Sequence, residues 1–352
     1  MKVLLVNDCP DRMRISDFYR QAFQEIGAEV EVLDLYYAAM DRDGFMRAGA
    51  PRVELAAGRL AKRFLRRAWA VRDETRARLL RRTAALQPDI VMFVGNIEVP
   101  LPLLQELKQR RPQCLLCNLL MEPFPAGNTL LRTAVPLYDC IFTFSKFQVA
   151  QLYWFRAQRV AWLPFGMAPA VHRRVTPNAA EQSRFGSAVA YLGTWQPHVE
   201  LWLQPLAGQD LKIWGNQWYR SAAHAQLLAK WQGEGAGLYE DMAKIVGSSR
   251  VIFNMVRFHN GNGHSMKTFE IPACGGFMLT NRTDEQLEFF AEDDGAAYYS
   301  TAAELLDKLQ FYLGHDTARS QIARRGHEIA QQHTYAARAR QIVEVQRNLS
   351  GS

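Results

Sequence analysis

The stretch from Val251 to Thr280 restricts the fold more than any other part of the chain, because it reads as strand, loop, helix and strand in close succession. Residues 251–255 form an apolar run that is typical of a buried strand, and residues 277–280 form another. Ser265 is a suitable N-cap for a helix over residues 266–273, and the glycines that follow would end that helix. Such a unit indicates a sheet whose strands are connected by helices.

The loop of this unit opens directly onto a helix N-terminus. Free N–H groups and the positive end of the helix dipole make such a place suitable for an anion. Lys267 and Glu270 lie in the first turn and a half of the helix. A carboxylate would repel a phosphate, so Glu270 suits the neutral hydroxyls of a ribose diol or a sugar. The stretch therefore predicts a ligand that carries both phosphate and hydroxyl groups.

Strands and helices alternate on both sides of this stretch, which is the signature of doubly wound sheets. The polar segment 173–187 contains proline and glycine and breaks the alternation, so it is the best candidate for a linker. We expect two Rossmann-like domains, 1–172 and 188–330, and a last helix over residues 331–350. The predicted strands cover residues 2–7, 29–35, 89–95, 114–120, 139–144, 160–163, 188–192, 211–214, 251–255, 277–280 and 296–299.

Residues at the carboxyl ends of these strands are the candidates for binding a ligand, because that edge forms the crevice of a doubly wound sheet. Gly193 allows backbone N–H groups to approach a phosphate, Trp195 suits stacking on a base or sugar, and Arg257 suits charge neutralisation. Each also has a structural alternative: a tight turn, core packing or a solvated loop. The candidates in this half are Gly193, Thr194, Trp195, Gly215, Asn216, Tyr239, Asn254, Arg257, Asn262, Gly263, His264, Ser265, Met266, Lys267, Thr268, Phe269 and Glu270.

The loop and helix resemble the donor-binding segment of GT-B glycosyltransferases, in particular the CgeB-like proteins related to the family 4 enzymes. The family pattern has two glutamates eight positions apart and ends in Ala-x-x-Gly. Glu270 matches the second glutamate, Lys267 matches a basic residue of the CgeB-like branch, and residues 273–276 match the ending. The first glutamate is replaced by Asn262, which accepts a hydrogen bond from a hydroxyl but cannot stabilise a developing positive charge. The resemblance continues through His333 and covers the C-terminal half, whereas the N-terminal half matches only in layout.

The resemblance implies an α/β protein of the GT-B fold, with two Rossmann-like domains facing a cleft and a helical tail that crosses back to the first domain. It implies transfer of a sugar from a nucleotide-diphosphate sugar, with a UDP-sugar favoured, to a hydroxyl of a glycan, a lipid-linked glycan or a protein. Retention of configuration and independence from metal are expected. The nucleotide sugar is a co-substrate, and no cofactor is expected.

The resemblance also implies roles for individual residues. Arg257 and Lys267 would stabilise the diphosphate leaving group, as a positioned-charge effect. Glu122 follows a predicted strand of the first domain and is the candidate for deprotonating or orienting the acceptor hydroxyl. Asp8, Asn96 and Glu98 follow other strands of that domain and complete the predicted acceptor side.

Positive charge is concentrated in one segment of the chain. Between Arg52 and Arg82 there are eleven Lys or Arg and three acidic residues, whereas the whole chain has a net charge of +7. Apolar residues such as Trp69 recur near helical spacing through residues 53–86, which predicts a basic amphipathic helix. The segment 52–82 suits peripheral contact with an anionic membrane. Alternatively, the helix packs on the core and its arginines pair with acidic side chains elsewhere.

Several classes of protein and site are disfavoured. The chain has no run of eighteen apolar residues, and its N-terminal apolar run is too short for a signal peptide, so we expect a cytoplasmic protein, peripheral on the inner membrane face if the basic segment binds lipid. Cys114 and Cys117 lie in a predicted strand, where side chains three positions apart point to opposite faces and do not form a zinc site. The Asp41–Asp43 motif resembles the metal-binding Asp-x-Asp of GT-A enzymes, but no strand precedes it, so we interpret it as a turn. No metal site is expected.

Three other functions remain open at this point. The replacement of the first glutamate by Asn262 fits a non-catalytic protein that binds a sugar nucleotide. A sugar-nucleotide epimerase shares the same fold. Nucleic-acid binding by the basic segment is disfavoured, because the aromatic and basic interleaving of such proteins is absent.

Overall fold

The computed structural model describes residues 1–7, 15–34, 73–124, 129–221, 224–234 and 240–350. Asp8, Tyr239, the Asp41–Asp43 motif and most of the basic segment lie outside these ranges. The chain forms two compact units, of which the first comprises Met1–Pro164 and Ala336–Ser352 and the second comprises Phe165–Tyr335.

The first unit contains a six-stranded parallel sheet in the order β2-β1-β3-β4-β5-β6. The central strands are buried along their whole length, which is typical of a parallel sheet covered on both faces. The strand order reverses between β1 and β3, so the crevice of this sheet lies beyond their carboxyl ends. The strands are β1 (Lys2–Asn7), β2 (Glu29–Asp34), β3 (Ile90–Val94), β4 (Leu115–Leu120), β5 (Cys140–Thr143) and β6 (Val160–Trp162).

The second unit contains a five-stranded parallel sheet in the order β11-β10-β9-β7-β8. Here the order reverses between β7 and β9, which are neighbours in space although β8 separates them in the chain. The strands are β7 (Ser187–Leu192), β8 (Leu211–Trp214), β9 (Ser249–Asn254), β10 (Met278–Asn281) and β11 (Ala297–Tyr299). The prediction of two parallel α/β sheets is confirmed.

Helices connect the strands of both sheets, and three helices follow β11. Those of the first unit are α1 (Ile15–Glu25), α2 (Asp73–Leu86), α3 (Leu101–Arg110), α4 (Thr129–Ala134) and α5 (Phe147–Trp154). Those that follow are α6 (Ala179–Phe185), α7 (Pro197–Leu203), α8 (Ala225–Leu228), α9 (Glu240–Ser248), α10 (Lys267–Ala273), α11 (Asp284–Phe289), α12 (Ala302–Gly314), α13 (Asp316–Ala330) and α14 (Tyr335–Ser350).

Two helices differ from the expectation of the sequence. Helix α6 lies within the segment 173–187 that reads as polar and irregular, and it is stabilised by a capping box between Asn178 and Glu181. Conversely, the spacing of apolar residues predicts a helix over residues 221–231, and the described part of that stretch contains only the single turn of α8. Helix α6 forms despite the polar composition of its segment, because the capping hydrogen bonds satisfy N–H groups at the helix N-terminus that would otherwise have no partner.

The described part of the basic segment is helix α2. Arg76 forms an ion pair with Glu106 of α3, and Arg82 lies 3.7 Å from Glu31 of β2. These two arginines therefore pair with acidic side chains of the first unit, as the packed alternative expects. No helix in the described part of the chain is both long enough and apolar enough to span a bilayer.

Helix α14 begins at the end of the second unit and continues through residues assigned to the first. Its Arg338 is buried and donates from Nε to the carbonyl of Pro164 at 2.9 Å. The charge of Arg338 also acts on buried Tyr19 of α1 and opposes the effect of burial, which raises the pKa of the Tyr19 phenol. Arg338 of α14 thus belongs to the first unit's core.

Candidate functional site

The carboxyl ends of β7 and β9 define the crevice of the second sheet, because the strand order reverses between these two strands. Residues 193–196 follow β7, and residues 255–266 follow β9 and lead into α10. The end of β8 lies beside that of β7 and carries Gly215 and Asn216. The topology thus brings the predicted ligand-binding loops of this unit to one edge of the sheet.

Neither Gly193 nor Gly215 accommodates a side chain: a Cβ atom on Gly193 would lie 2.4 Å from the hydroxyl oxygen of Tyr191, and Gly215 lies against the backbone of Gly193. A Cβ atom on Gly215 would lie 2.3 Å from the carbonyl oxygen of Gly193, and the φ angle of Gly215 is +131°. The two carbonyl groups are held by indole donors, with Trp218 Nε1 on Gly193 and Trp231 Nε1 on Gly215, each at 2.9 Å. These glycines therefore bring the backbones of two strand ends together.

Trp195 is fixed beside these glycines by three contacts. Its backbone N–H donates to the carbonyl of Asn216 at 2.8 Å, and its Nε1 donates to Glu200 at 2.5 Å. The guanidinium of Arg220 lies 5.2 Å from the centre of its ring, within the range of a cation–π interaction. The half-buried indole of Trp195 is thus held in one orientation at the edge of the crevice, next to Thr194.

A buried carboxylate holds this arrangement together. Glu200 accepts hydrogen bonds from Trp195, from the hydroxyl of Ser221 at 2.8 Å, and from His224. Burial acts to raise the pKa of Glu200, but these hydrogen bonds outweigh burial and leave the pKa below its ordinary value. Glu200 stays ionised at neutral pH and joins α7 to the loop after β8.

The loop after β9 is tied to the start of α11. The side chain of Asn262 accepts from the backbone N–H of Asp284 at 2.9 Å and donates to the Asp284 carboxylate. The carbonyl of Gly263 accepts from the hydroxyl of Thr283 at 2.7 Å, and Asn260 donates to the carbonyl of His264 at 3.1 Å. Asn262 and Gly263 therefore shape the loop through contacts inside the protein.

His264 is completely buried and uses both ring nitrogens within the second unit. Its Nδ1 lies 2.6 Å from the carboxylate of Glu285, and its Nε2 accepts from the backbone N–H of Phe165 at 3.1 Å. The ring packs edge-on against Phe269 and Phe289. These contacts make His264 an anchor of the loop rather than a residue presented to a ligand.

Three other candidates are also buried in the scaffold. Asn254 donates to the hydroxyl of Thr280 at 3.0 Å, and Thr268 donates to Gln286 at 3.1 Å. Phe269 packs among aromatic rings that include His333. These side chains support α10 from the core side.

Helix α10 begins at Lys267, so the expected N-cap role of the Ser265 side chain is wrong. Met266 occupies the N-cap position, and the Ser265 carbonyl accepts from the Thr268 N–H at 3.1 Å. The hydroxyl oxygen of Ser265 is buried and has no hydrogen-bond partner among the described residues. Helix formation here uses the backbone of Ser265 and leaves its hydroxyl available at the start of α10.

Glu270 is a buried carboxylate on α10. Only 7% of its side chain is exposed, and its Oε1 lies 3.5 Å from Nε2 of His172, which is 3% exposed. No hydrogen bond to this carboxylate is found within the described ranges, although most buried charges are paired and hydrogen-bonded. Glu270 therefore retains hydrogen-bonding capacity inside the protein.

Lys267 is half-buried one turn before Glu270 and forms no ion pair or hydrogen bond with any described residue. Its charge nevertheless acts on His172, whose pKa is lowered by burial and by Lys267 and raised in part by Glu270. The cation and the carboxylate thus act on the same histidine. His172 is not identifiable as a site residue from the sequence, because the segment that contains it shows no motif or periodicity.

Arg257 follows β9 and is half-buried. Burial raises the pKa of the Tyr191 phenol to about 12, and the charge of Arg257 opposes that effect. The same charge contributes, after burial and His259, to the lowered pKa of His198 on α7. Arg257 therefore lies on the β7 side of the crevice.

The predicted acceptor-side residues lie at the carboxyl ends of neighbouring strands in the first sheet. Asn96 follows β3 and accepts from the N–H groups of Met121 and Glu122 at 3.3 Å each, which ties the β3 and β4 ends together. Glu98 is half-buried and Glu122 is exposed. These residues share one edge of the sheet, next to the reversal of strand order between β1 and β3.

No group of three or more His, Cys, Asp or Glu suited to a metal ion occurs in the described ranges. Cys114 and Cys117 are free, buried thiols whose pKa values are raised by burial.

We predict that Glu200→Gln lowers the free energy of unfolding by about 1–3 kcal/mol near neutral pH, because three donors lose a charged acceptor. The folded-state pKa lies below the unfolded value of about 4.3, so the carboxylate's contribution is present above that pH and is lost as the pH falls through the folded-state pKa. The difference between parent and variant should therefore shrink on acidification.

Urea unfolding at several pH values measures this difference. The exposed Glu328, which contacts Arg325 across one helical turn, supplies the matched control Glu328→Gln, with an expected effect below about 0.5 kcal/mol. A parent-minus-variant difference that grows toward low pH would contradict the assignment.

Comparison with known proteins finds a family match in the C-terminal half. Residues 196–344 match the model of a protein family described as glycosyl transferase-like. The match includes the loop after β9 and helix α10. No curated protein sequence gives a significant match to the chain.

Solved structures match the whole chain in fold at low identity. Sucrose-phosphate synthase from Thermosynechococcus elongatus is 12% identical over 99% of each chain, with a TM-score of 0.66. HepE from Anabaena, solved in complex with UDP-glucose, is 13% identical over 99% of this chain and 100% of its own, with a TM-score of 0.65. A protein from Listeria monocytogenes described as a UDP-N-acetylglucosamine 2-epimerase is 13% identical over 100% of this chain and 97% of its own, with a TM-score of 0.55. The chain therefore has the GT-B fold, and its residues 196–344 are similar to a glycosyl transferase-like family.

Proposed function

We propose that this protein is a glycosyltransferase that uses a nucleotide-diphosphate sugar, with a UDP-sugar favoured as donor. The observation that carries the proposal is the buried Glu270 carboxylate, whose hydrogen-bonding capacity is not used by the described residues. The glycosyl transferase-like match over residues 196–344 supports the reaction class. The UDP-glucose bound by HepE, a protein of the same fold, supports the donor class.

The chemistry of the residues around Glu270 fits such a donor. An ionised carboxylate accepts hydrogen bonds from the hydroxyls of a ribose or a sugar, and those bonds compensate for its removal from water. Lys267 and the hydroxyl of Ser265 precede Glu270 on the same short segment and supply a cation and a polar group for the phosphates. The expected ligand thus combines hydroxyls and phosphate, as the sequence pattern also indicates.

In the proposed mechanism, Lys267 and Arg257 stabilise the negative charge that develops on the departing diphosphate. No metal is required, because the leaving-group charge is met by these side chains. Retention of configuration is proposed from the resemblance to the family 4 enzymes. Asn262, in place of the first family glutamate, accepts at most a hydrogen bond from the donor sugar and does not supply a second negative charge.

The acceptor is proposed to bind at the carboxyl edge of the first sheet. Glu122 is the proposed base or orienting group for a hydroxyl of a glycan, a lipid-linked glycan or a protein, with Glu98 and Asn96 beside it. In this proposal the first unit, Met1–Pro164 with Ala336–Ser352, binds the acceptor, and the second unit, Phe165–Tyr335, binds the donor. His172 and the segment 173–187, which the sequence pattern assigns to the first domain and the linker, then belong to the donor side.

Two alternatives have observations in their favour. The side chain of Asn262 is engaged with Asp284, which fits a protein that binds a sugar nucleotide without transferring the sugar. The Listeria monocytogenes relative favours an epimerase. Thermal unfolding with UDP, GDP, dTDP and CMP sugars identifies the donor, since a ligand at a hundred times its Kd stabilises by about 2.7 kcal/mol. Product analysis then separates donor hydrolysis or transfer from epimerisation and from binding alone.

We predict that Glu270→Ala weakens binding of the nucleotide sugar by about 1.5–3 kcal/mol, which is roughly a tenfold to hundredfold rise in Kd, because charged hydrogen bonds to hydroxyls are lost. Glu270→Gln should retain part of the affinity, since the amide oxygen still accepts one bond. Calorimetric titration measures both variants. Unchanged affinity in Glu270→Ala would remove this residue from the donor site.

For Lys267→Ala we expect kcat to fall more than donor affinity, because its charge is needed most when the diphosphate departs. Lys230→Ala is the matched control, since Lys230 donates to the carbonyl of Gln209 just before β8, at the opposite edge of the sheet. Steady-state kinetics with the identified donor gives both constants. Equal losses in affinity and turnover would instead make Lys267 an anchor of the bound phosphate.

Residues 52–82 are proposed to contact an anionic membrane, where a lipid-linked acceptor would be found. Each cation near such a surface contributes about 1 kcal/mol, screened by salt. We predict that sedimentation with vesicles rises with their anionic lipid content and falls at high salt. The quadruple variant with Arg63, Arg66, Arg67 and Arg78 changed to Glu should lose this binding. Sedimentation that does not depend on the anionic lipid content would contradict the proposed membrane contact and would favour a soluble acceptor.

A further inference from the structure

We infer that His172 is a positioning residue that holds the Glu270 carboxylate in the orientation needed to bind the donor's hydroxyls. The inference rests on the function proposed above. It concerns the contact between a histidine that lies outside the glycosyl transferase-like match and a carboxylate within that match.

The ring of His172 is oriented by its own backbone turn. Its Nδ1 accepts a hydrogen bond from the N–H of Ala168 at 3.0 Å, and its backbone N–H donates to the carbonyl of the same residue at 2.8 Å. Because Nδ1 is an acceptor, the neutral ring carries its proton on Nε2. That nitrogen lies 3.5 Å from Oε1 of Glu270. The ring donor thus lies next to the carboxylate, at a separation slightly longer than a typical hydrogen bond.

Burial keeps this donor neutral. The pKa of His172 is lowered by desolvation and by the charge of Lys267, against the opposing effect of Glu270. A neutral N–H aimed at a carboxylate orients it without cancelling its charge. Glu270 consequently remains an acceptor for the hydroxyls of a bound ligand.

Residues 165–172, which include His172, are held by hydrogen bonds to other parts of the second unit. The N–H of Phe165 donates to the ring of His264 at 3.1 Å. The N–H of Met167 donates to the carbonyl of His333 at 2.8 Å, and its carbonyl accepts from Tyr335 at 3.0 Å. The same segment thus contacts the loop before α10 through His264 and helix α10 through His172.

This geometry gives the two oxygen atoms of Glu270 different roles: Oε1 contacts His172, and Oε2 is left for a bound ligand. Oε1 faces His172, and the contact restricts rotation of the carboxylate. Oε2 has no hydrogen-bond partner among the residues that the structure describes, and only 7% of the side chain is exposed. Preorganisation of this kind reduces the entropy that binding would otherwise cost.

The test compares His172→Leu, His172→Gln, Glu270→Ala and the double variant His172→Leu/Glu270→Ala in calorimetric titrations with UDP-glucose and with UDP. We expect His172→Leu to raise the Kd for UDP-glucose about tenfold, and His172→Gln to recover most of that loss, because its amide N–H donates to Glu270. In the double variant the loss should equal that of Glu270→Ala alone, since a positioning residue has no effect once its partner is absent.

His327→Leu is the matched control. His327 contacts the carbonyl of Ala273 at 2.9 Å, at the far end of the same helix, so this variant disturbs the packing of α10 without reaching Glu270. Its Kd should change less than twofold, whatever its unfolding temperature. The unfolding temperatures of all variants establish that they are folded.

The outcomes distinguish the positioning role of His172 from the proposed donor site at Glu270. Weaker binding in Glu270→Ala with unchanged binding in His172→Leu, or additive losses in the double variant, would overturn the positioning role and leave the donor site intact. Equal losses in His172→Leu and His327→Leu would reduce His172 to a packing residue. Unchanged binding in Glu270→Ala would overturn the proposed donor site and this inference together.

Discussion

A buried carboxylate without hydrogen bonds is costly, and no residue in the described ranges forms a hydrogen bond with the carboxylate of Glu270. Helix α10, which carries Glu270, is held from the core side by Thr268 and Phe269 and at its far end by His327. His172 lies beside the carboxylate, with its Nε2 3.5 Å from Oε1, and in the arrangement inferred above it limits the carboxylate's orientation. Stability in this region therefore comes from the surrounding packing and hydrogen bonds, and the carboxylate keeps its hydrogen-bonding capacity for the proposed donor.

Much of this arrangement follows from local pattern, and the rest depends on contacts between distant residues. Strand β1 begins and ends where the apolar run predicts. A parallel strand that is buried on both faces is recognisable from its continuous apolar run alone, without knowledge of the strands it pairs with. The position of α10 is predicted within one residue, yet the Ser265 cap is wrong because the backbone satisfies that turn. Helix α6 depends on a capping box that the polar composition conceals. His172 was missed because its partner lies almost a hundred residues away in the chain, where no periodicity connects them.

The same limit applies to the predicted ligand-binding residues, because residue type and position in a loop do not reveal which way a side chain faces. Gly193, Gly215 and Trp195 lie at the crevice, as the topology requires. His264 is an equally good candidate by residue type and position in the loop, but it is buried between Phe165 and Glu285 and anchors the loop. The sequence therefore points to His264, which lies in the motif but is held inside the protein. It does not point to His172, which lies outside the motif but is next to Glu270.

Asn262 shows how the loop and the departure from the family pattern are physically connected. Its amide both accepts from the N–H of Asp284 and donates to the Asp284 carboxylate, so it fastens the loop to the start of α11. A glutamate at this position would place a second negative charge against Asp284 and would lack the donor, which would remove this attachment. Asn262 therefore belongs to a pair with Asp284, and restoring a glutamate at 262 would require a change at 284 as well. The loop uses this position for its own structure, which leaves Glu270 as the carboxylate on which the proposed donor chemistry depends.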